Sequence, residues 1–145
     1  MQKRKGNEAS VDDVVIHLLH RVSQRADEIF AEEAGEAGLT ARQFAVLLSV
    51  ARSDDPSQTE IVESTGIDRS TVAEMVRRMI GKRLLQRRRS RQDARAYVVR
   101  LTDRGREVLK SAEPKALQAG TTVLARLSGE QRRAFVEALK AVSSS

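Results

Sequence analysis

Apolar residues recur at intervals of three and four from Val11 through Val14, Val15, Leu18, Leu19, Val22, Ala26 and Ile29 to Phe30. This is the spacing of one buried stripe on a helix, and Ser10 just before it is a suitable N-cap. The pattern stops between Gly35 and Gly38. Three later helix starts share one signal, a Ser or Thr followed three positions on by Glu or Gln, whose side chains satisfy each other's orphan backbone donors. They are Thr40 with Gln43, Ser57 with Glu60, and Ser128 with Gln131. Behind them lie Phe44, Leu47, Leu48 and Ala51, then Ile61 and Val62, then Phe135, Val136 and Leu139. Asp54-Asp55-Pro56 breaks the chain before Ser57, because proline disfavours helical geometry in the residue preceding it.

The middle of the chain changes period. A short helix over about Gln58 to Thr65 ends at Gly66, and Asp68 caps a second helix over about Arg69 to Lys82. Val72, Val76, Met79 and Ile80 form one side of that helix; Ser70, Ala73, Glu74, Arg77 and Arg78 form the other. Leu84 to Arg89 and Ala96 to Leu101 then alternate with a period near two and predict a β-hairpin. Thr102 caps a long helix carrying Val108, Leu109, Leu117, Val123, Leu124 and Leu127, with a kink or break expected near Pro114. Residues 1–9 and 143–145 have no apolar residue pattern and read as tails.

Charge changes the picture. Between Arg69 and Arg106 there are 13 Lys and Arg against 3 acids, a local +10, while the formal net charge of all 145 residues is +6, so the remainder carries −4. A basic block within a mildly acidic chain is the footprint of a polyanionic partner. Two amphipathic helices joined through Gly66-Ile67-Asp68 also occur in plain helical bundles, but a following hairpin with an arginine-rich tip turns the pair into a winged helix-turn-helix. One helix then presents side chains to base edges in the major groove, and the wing reaches the phosphates and the narrow minor groove. Arg95 is the residue expected to enter that groove. Asp93 beside it has two readings, an ordinary loop ion pair or a carboxylate that holds the Arg95 guanidinium in position.

Other classes recede. No cysteine is present, which removes disulfides, thiolate metal sites and thiol redox sensing. No apolar run approaches a membrane span, and the first residues lack the apolar stretch of a signal peptide, so a cytoplasmic protein is expected. There is no Gly-x-Gly, and the only two histidines, His17 and His20, do not form part of a catalytic constellation. The chain reads as a non-enzyme without a metal or cofactor.

Asp93-Ala94-Arg95, followed by Leu101-Thr102-Asp103-x-Gly105, resembles the wing motif of the MarR family of bacterial transcription regulators. Gly38-Leu39-Thr40 with Phe44 and Leu47 is similar to that family's second helix, Ser57-Gln58-x-Glu60-Ile61-Val62 to its third, and Arg69-Ser70-Thr71-Val72 to the start of its recognition helix. The resemblance covers roughly Val11 to Val142. It implies a mainly α fold with a small β-hairpin wing, in a single domain over 10–142: segments 10–37 and 104–142 dimerise, and 39–103 forms the winged helix-turn-helix. A homodimer would then address a pseudo-palindromic DNA operator, as the wide apolar stripe of the first helix also suggests.

The residues expected at DNA are Ser57 and Gln58, then Arg69, Ser70, Thr71, Glu74, Arg77 and Arg78, and on the wing Arg87, Arg88, Arg89, Arg91, Asp93 and Arg95. Release by a small organic anion, an aromatic acid or its thioester, is expected, with His17, His20, Arg21 and Phe44 as its contacts. The histidines also admit two plainer readings, as surface or interface residues or as an incomplete metal pair. The competing reading of the whole chain is a nonspecific nucleoid-associated DNA-binding protein without an effector, bound through phosphates alone.

Overall fold

A computed structural model describes residues 10–144; the expected N-terminal tail, 1–9, and the final Ser145 lie outside the described residues. The chain runs α1 (Val15–Ala34), α2 (Ala41–Arg52), α3 (Gln58–Thr65), α4 (Arg69–Gly81), β1 (Leu85–Arg89), β2 (Tyr97–Leu101), α5 (Asp103–Val123) and α6 (Gly129–Ser143). The strands form one antiparallel pair in which Leu85 faces Leu101 and Arg89 faces Tyr97. Among the described residues no helix is long and apolar enough to cross a membrane.

The capping signals are realised. Thr40, Ser57 and Ser128 each close a reciprocal box with Gln43, Glu60 and Gln131, while Asp68 and Thr102 accept from the backbone N–H of Thr71 and Gly105. Gly66 ends α3 at φ 69°, a left-handed C-cap that glycine adopts without a Cβ penalty. Ser10 caps only a single 3-10 turn over Val11–Asp13, and Val14 then straightens before α1 begins.

One core joins α2 to α5 and the hairpin. Leu47, Ile61, Val72, Val76, Met79 and Leu85 are essentially inaccessible to water, and each such side chain contributes about 1.5–3 kcal/mol by burial. A second cluster packs Ile29, Phe30 and Ala34 of α1 against Ala119 of α5, with Phe44 touching both clusters. Gly105 sits where the first turn of α5 crosses the start of the wing: a Cβ there would lie 2.1 Å from the Leu84 carbonyl oxygen. Only glycine lets helix and strand approach so closely.

Of the kink or break expected near Pro114, the break does not occur: α5 continues through Pro114 and Gly120 to Val123. Proline removes one helical donor and leaves the carbonyl of the residue four back without its partner. Both Pro114 and Lys110 are exposed residues, while Ala112 and Ala119 are held by burial on either side. The chain breaks instead at 124–128, where the Arg132 guanidinium donates to the carbonyls of Leu124 and Leu127, both at 3.1 Å.

Burial is lopsided along α1. Ile29 and Phe30 are covered, yet Val11, Val15 and Ile16 are each more than 60% exposed, and Leu18, Leu19 and Val22 remain open beside them. Leu117 on α5 and Val136, Leu139 and Val142 on α6 are also open.

Candidate nucleic-acid interface

The face of α4 opposite the core is built from its own cap. The Asp68 carboxylate accepts from the Thr71 N–H at 2.9 Å, the Thr71 hydroxyl at 2.6 Å and the Ser70 hydroxyl at 2.8 Å. These three donors hold its pKa down at about 2. Ser70 and Thr71 have therefore spent their hydrogens inside the protein, and what their oxygens offer outward is acceptor capacity. Arg69 reaches back to the Thr59 hydroxyl at 3.1 Å, tying the start of α4 to α3.

One turn on, Glu74 is gripped by two guanidiniums. Arg77 donates through Nε and Nη2 at 3.0 and 2.8 Å, and Arg78 through Nε at 2.7 Å. These hydrogen bonds, Arg77 first, pull the Glu74 carboxyl down to about 2, and the pairing raises Arg77 in turn. Glu74 thus splays two exposed arginines from a fixed point and sets their direction. Ser57 is occupied in its capping box, and Gln58 beside it is half-buried.

The wing is ordered by local bonds. Ser90 donates its N–H to the Ala96 carbonyl at 2.9 Å, and its hydroxyl accepts from Gln92 and Asp93. The arginines divide by task. Arg89 donates to the Ala94 carbonyl at 2.7 Å and lies 5.4 Å from the centre of the Tyr97 ring, while Arg87 approaches the same ring at 6.0 Å. Arg88 donates to the Gln86 side chain at 3.0 Å. Arg91 and Arg95 are exposed and have no side-chain hydrogen bond or ion pair among the described residues. Asp93 does not pair with the Arg95 guanidinium; its carboxylate accepts the Arg95 backbone N–H at 2.9 Å. The carboxylate shapes the turn, because the backbone donor two residues on lies nearer than the end of a long side chain. The Arg95 guanidinium is left available.

Two further elements escaped sequence reasoning. Tyr97 stands half exposed between Arg87 and Arg89, and its place in the alternating run opposite the arginines was the available signal. Arg100 of β2 makes a two-pronged pair with Asp55 in the α2–α3 loop, which lowers the Asp55 carboxyl through that hydrogen bonding. These residues are 45 apart in sequence, and no local signal announces the contact. The Val99 N–H donates to the Pro56 carbonyl at 2.9 Å and joins the wing to the same loop. The tip of the wing stands over the start of α3, and Ser57, Glu60, Arg91, Gln92 and Tyr97 line a cleft between them.

The residues expected to contact an effector are dispersed within one chain. His17, His20 and Arg21 lie on the open half of α1, with Arg21 paired to Asp12 at 3.1 Å. Phe44 packs against Phe30 at a ring separation of 5.7 Å, and Phe30 is ten residues, about 15 Å of helix, beyond His20. The cleft beside Phe30, about 420 Å3, is lined by Asp27, Ala31, Leu39 and Arg42 among others, and by none of the three polar residues. No group of three or more His, Cys, Asp or Glu among the described residues is placed to share a metal ion.

Comparison with known proteins agrees with this geometry. Residues 37–96, from the turn before α2 to the end of the wing tip, match the family model described as MarR family. The chain is 30% identical to the HTH-type transcriptional repressor NicR of Pseudomonas putida, over 90% of this chain and 82% of that protein. BpsR of Bordetella bronchiseptica, solved in a study of the regulation of its DNA binding by 6-hydroxynicotinic acid, superposes with a TM-score of 0.89 at 30% identity, covering 96% of this chain and 99% of that one. The transcriptional repressor CouR, solved on a 23-mer DNA duplex, superposes at 0.82 with 29% identity, covering 95% and 100%. With its winged helix-turn-helix, its wing motif and these relatives, the chain belongs to the MarR family of transcriptional regulators.

Proposed function

We propose that this chain is a sequence-specific repressor that binds a pseudo-palindromic operator as a homodimer and leaves it when a small organic acid binds. Segments 10–37 and 104–142 form the dimer, and 39–103 reads DNA. The observation that carries this reading is the pairing of two unlike surfaces: α4 and the wing present fixed and free arginines over Arg69–Arg95, while the open aliphatic residues lie on α1 and the turn before it, α5 and α6. A second copy covers those apolar residues and sets two recognition helices about one turn of DNA apart. The relative bound to a DNA duplex supports the first surface, and its likeness extends over 95% of this chain.

Roles follow from the contacts. Ser70 and Thr71 act as acceptors, so they suit the exocyclic amino groups of adenine or cytosine. Arg77 and Arg78, aimed by Glu74, reach base edges and phosphates; Arg69, Ser57 and Gln58 hold the backbone beside α3. Arg95 and Arg91 enter the minor groove, while Arg87, Arg88 and Arg89 contact phosphates along the wing's length, with Asp93 shaping the tip. The effector is an aromatic acid, as in the relative regulated by 6-hydroxynicotinic acid. His17, His20 and Arg21 bind it once a second α1 closes the site towards Phe44.

DNase I footprinting upstream of the protein's own gene tests this reading. A single protected pseudo-palindrome is expected. Protection spread evenly along the fragment would instead support a nonspecific, phosphate-bound protein.

A further inference from the structure

Between the end of α2, strand β2 and the first turns of α5 lies a cleft of about 540 Å3, within the size range of small-molecule sites. Val50, Val99, Leu101 and Leu109 give it an apolar floor. Four cations line it, Arg52, Arg100, Arg106 and Lys110, against three acids, Asp54, Asp55 and Glu113. Stabilising ion pairs account for part of this set: Arg52 bridges to Glu113 at 3.1 Å, and Arg100 holds Asp55. They leave Lys110 without an ion-pair partner among the described residues. Arg106, one turn before it on α5, pairs only with Asp103, a fully exposed residue of its own helix. Two under-used cations, and Asp54 as the one acid without an ion pair among the described residues, thus border an apolar recess beside a guanidinium that already holds a carboxylate.

We infer that this cleft is an anion site for a compact organic carboxylate, separate from the α1 surface, and that its occupant displaces Asp55 from Arg100. The fork of Arg100 already displays the two-pronged geometry that a ligand carboxylate takes. Lys110 and Arg106 supply the further positive charge, and the floor takes the apolar body. Asp55 holds its side of the pair from φ 50°, a left-handed conformation that aspartate adopts more readily than most residues with a Cβ. The displacement matters because the next residue, Pro56, accepts the Val99 N–H, and the one after it, Ser57, caps α3. The site therefore bears on the joint that sets the wing against the helix-turn-helix. Unlike the α1 surface, it is complete within one chain. Its effect on DNA rests on the proposed regulator function; its ligand binding does not.

The test is a titration of the full protein with benzoate, phenylacetate and cyclohexanecarboxylate, with benzamide as the neutral control, following the Arg100 Nε–H resonance by NMR. At least one carboxylate is expected to shift that resonance saturably, and benzamide to leave it unmoved. Lys110→Ala should weaken binding on the order of tenfold, the value of one charge-assisted hydrogen bond, while Arg21→Ala leaves it unchanged. The proposal is overturned if no carboxylate moves the resonance, if Lys110→Ala binds like the wild type, or if Arg21→Ala abolishes the shift. In parallel, with the α1 surface disabled by Arg21→Ala, the bound carboxylate should lower operator affinity several-fold when Lys110 is intact and not when Lys110→Ala is added; binding with no such loss overturns the coupling. A protein that binds no operator at all would defeat the regulator reading, and the NMR titration would still decide the site.

Discussion

Replacing Gly105 by Ala pits helix propensity against packing. Propensity alone favours alanine by up to about 1 kcal/mol. The new Cβ, however, would meet the Leu84 carbonyl oxygen at 2.1 Å and its carbon at 3.0 Å, whereas a comfortable C···O contact is about 3.3 Å. Helix α5 and the start of the wing must therefore separate by roughly 1 Å, and overpacking of that size costs about 1–3 kcal/mol. The same carbonyl accepts from the Thr102 N–H at 3.1 Å and its hydroxyl at 3.2 Å. Stretching those bonds and disturbing the Thr102 cap adds about 1–2 kcal/mol. After a propensity gain of about 1 kcal/mol is subtracted, a net loss of about 1–4 kcal/mol remains. Gly120→Ala, in the same helix with nothing within 4 Å of the added Cβ, is the control and should be neutral or slightly stabilising. Urea denaturation of both variants at one protomer concentration reads the difference. If Gly105→Ala matches Gly120→Ala, the close crossing of α5 over Leu84 is not a constraint and the reasoning fails.

Asp68 is held at a pKa of about 2 in the folded chain against an ordinary 3.8, so its contribution to stability is full above about pH 4 and is lost as the pH falls towards 2. Asp68→Ala should lower the urea midpoint at pH 7 and flatten this part of the acid titration; an unchanged acid profile would refute the capping account. Arg95→Ala should weaken operator binding by tens of fold without altering the dimer, as read by fluorescence anisotropy and sedimentation, and undiminished affinity would remove Arg95 from the groove. Tyr97→Leu removes the ring under Arg87 and Arg89 and should weaken DNA binding several-fold, with Tyr97→Phe restoring it; equal loss in both would mean that the hydroxyl, not the ring face, matters. Deleting residues 1–30 uncovers the apolar surface of the partner and should yield aggregated or unfolded protein, and a folded monomer in the ultracentrifuge would contradict the proposed dimer.

What the sequence revealed was local. Caps are local: the three-residue spacing located the helix starts at Thr40, Ser57 and Ser128, and a single capping residue, Asp68 or Thr102, located two more. The shift from helical to strand period placed the wing to within one residue at each strand's start, Leu85 and Tyr97. The failures arose where a distant contact or a choice among nearby donors decided the outcome. Pro114 reads as a kink or break, yet Ala112 and Ala119 on either side of it are buried in the core and the helix runs on without a break. Asp93 and Arg95 read as an ion pair, but the backbone donor was closer. Ser70 and Thr71 are placed at DNA by their position in the sequence, and only the structure shows both hydroxyl hydrogens committed to Asp68. The pair between Asp55 and Arg100 depends on the loop folding back onto β2 and carries no local mark.

The central claim is that α4 and the wing choose among DNA sequences. Fluorescence anisotropy across a range of salt concentrations compares the footprinted site with a scrambled duplex of the same composition. The account predicts tighter binding to the site by on the order of a thousandfold or more at physiological salt, with affinity for both duplexes falling as salt is raised. Equal affinity for the two duplexes, declining in parallel with salt, would contradict it.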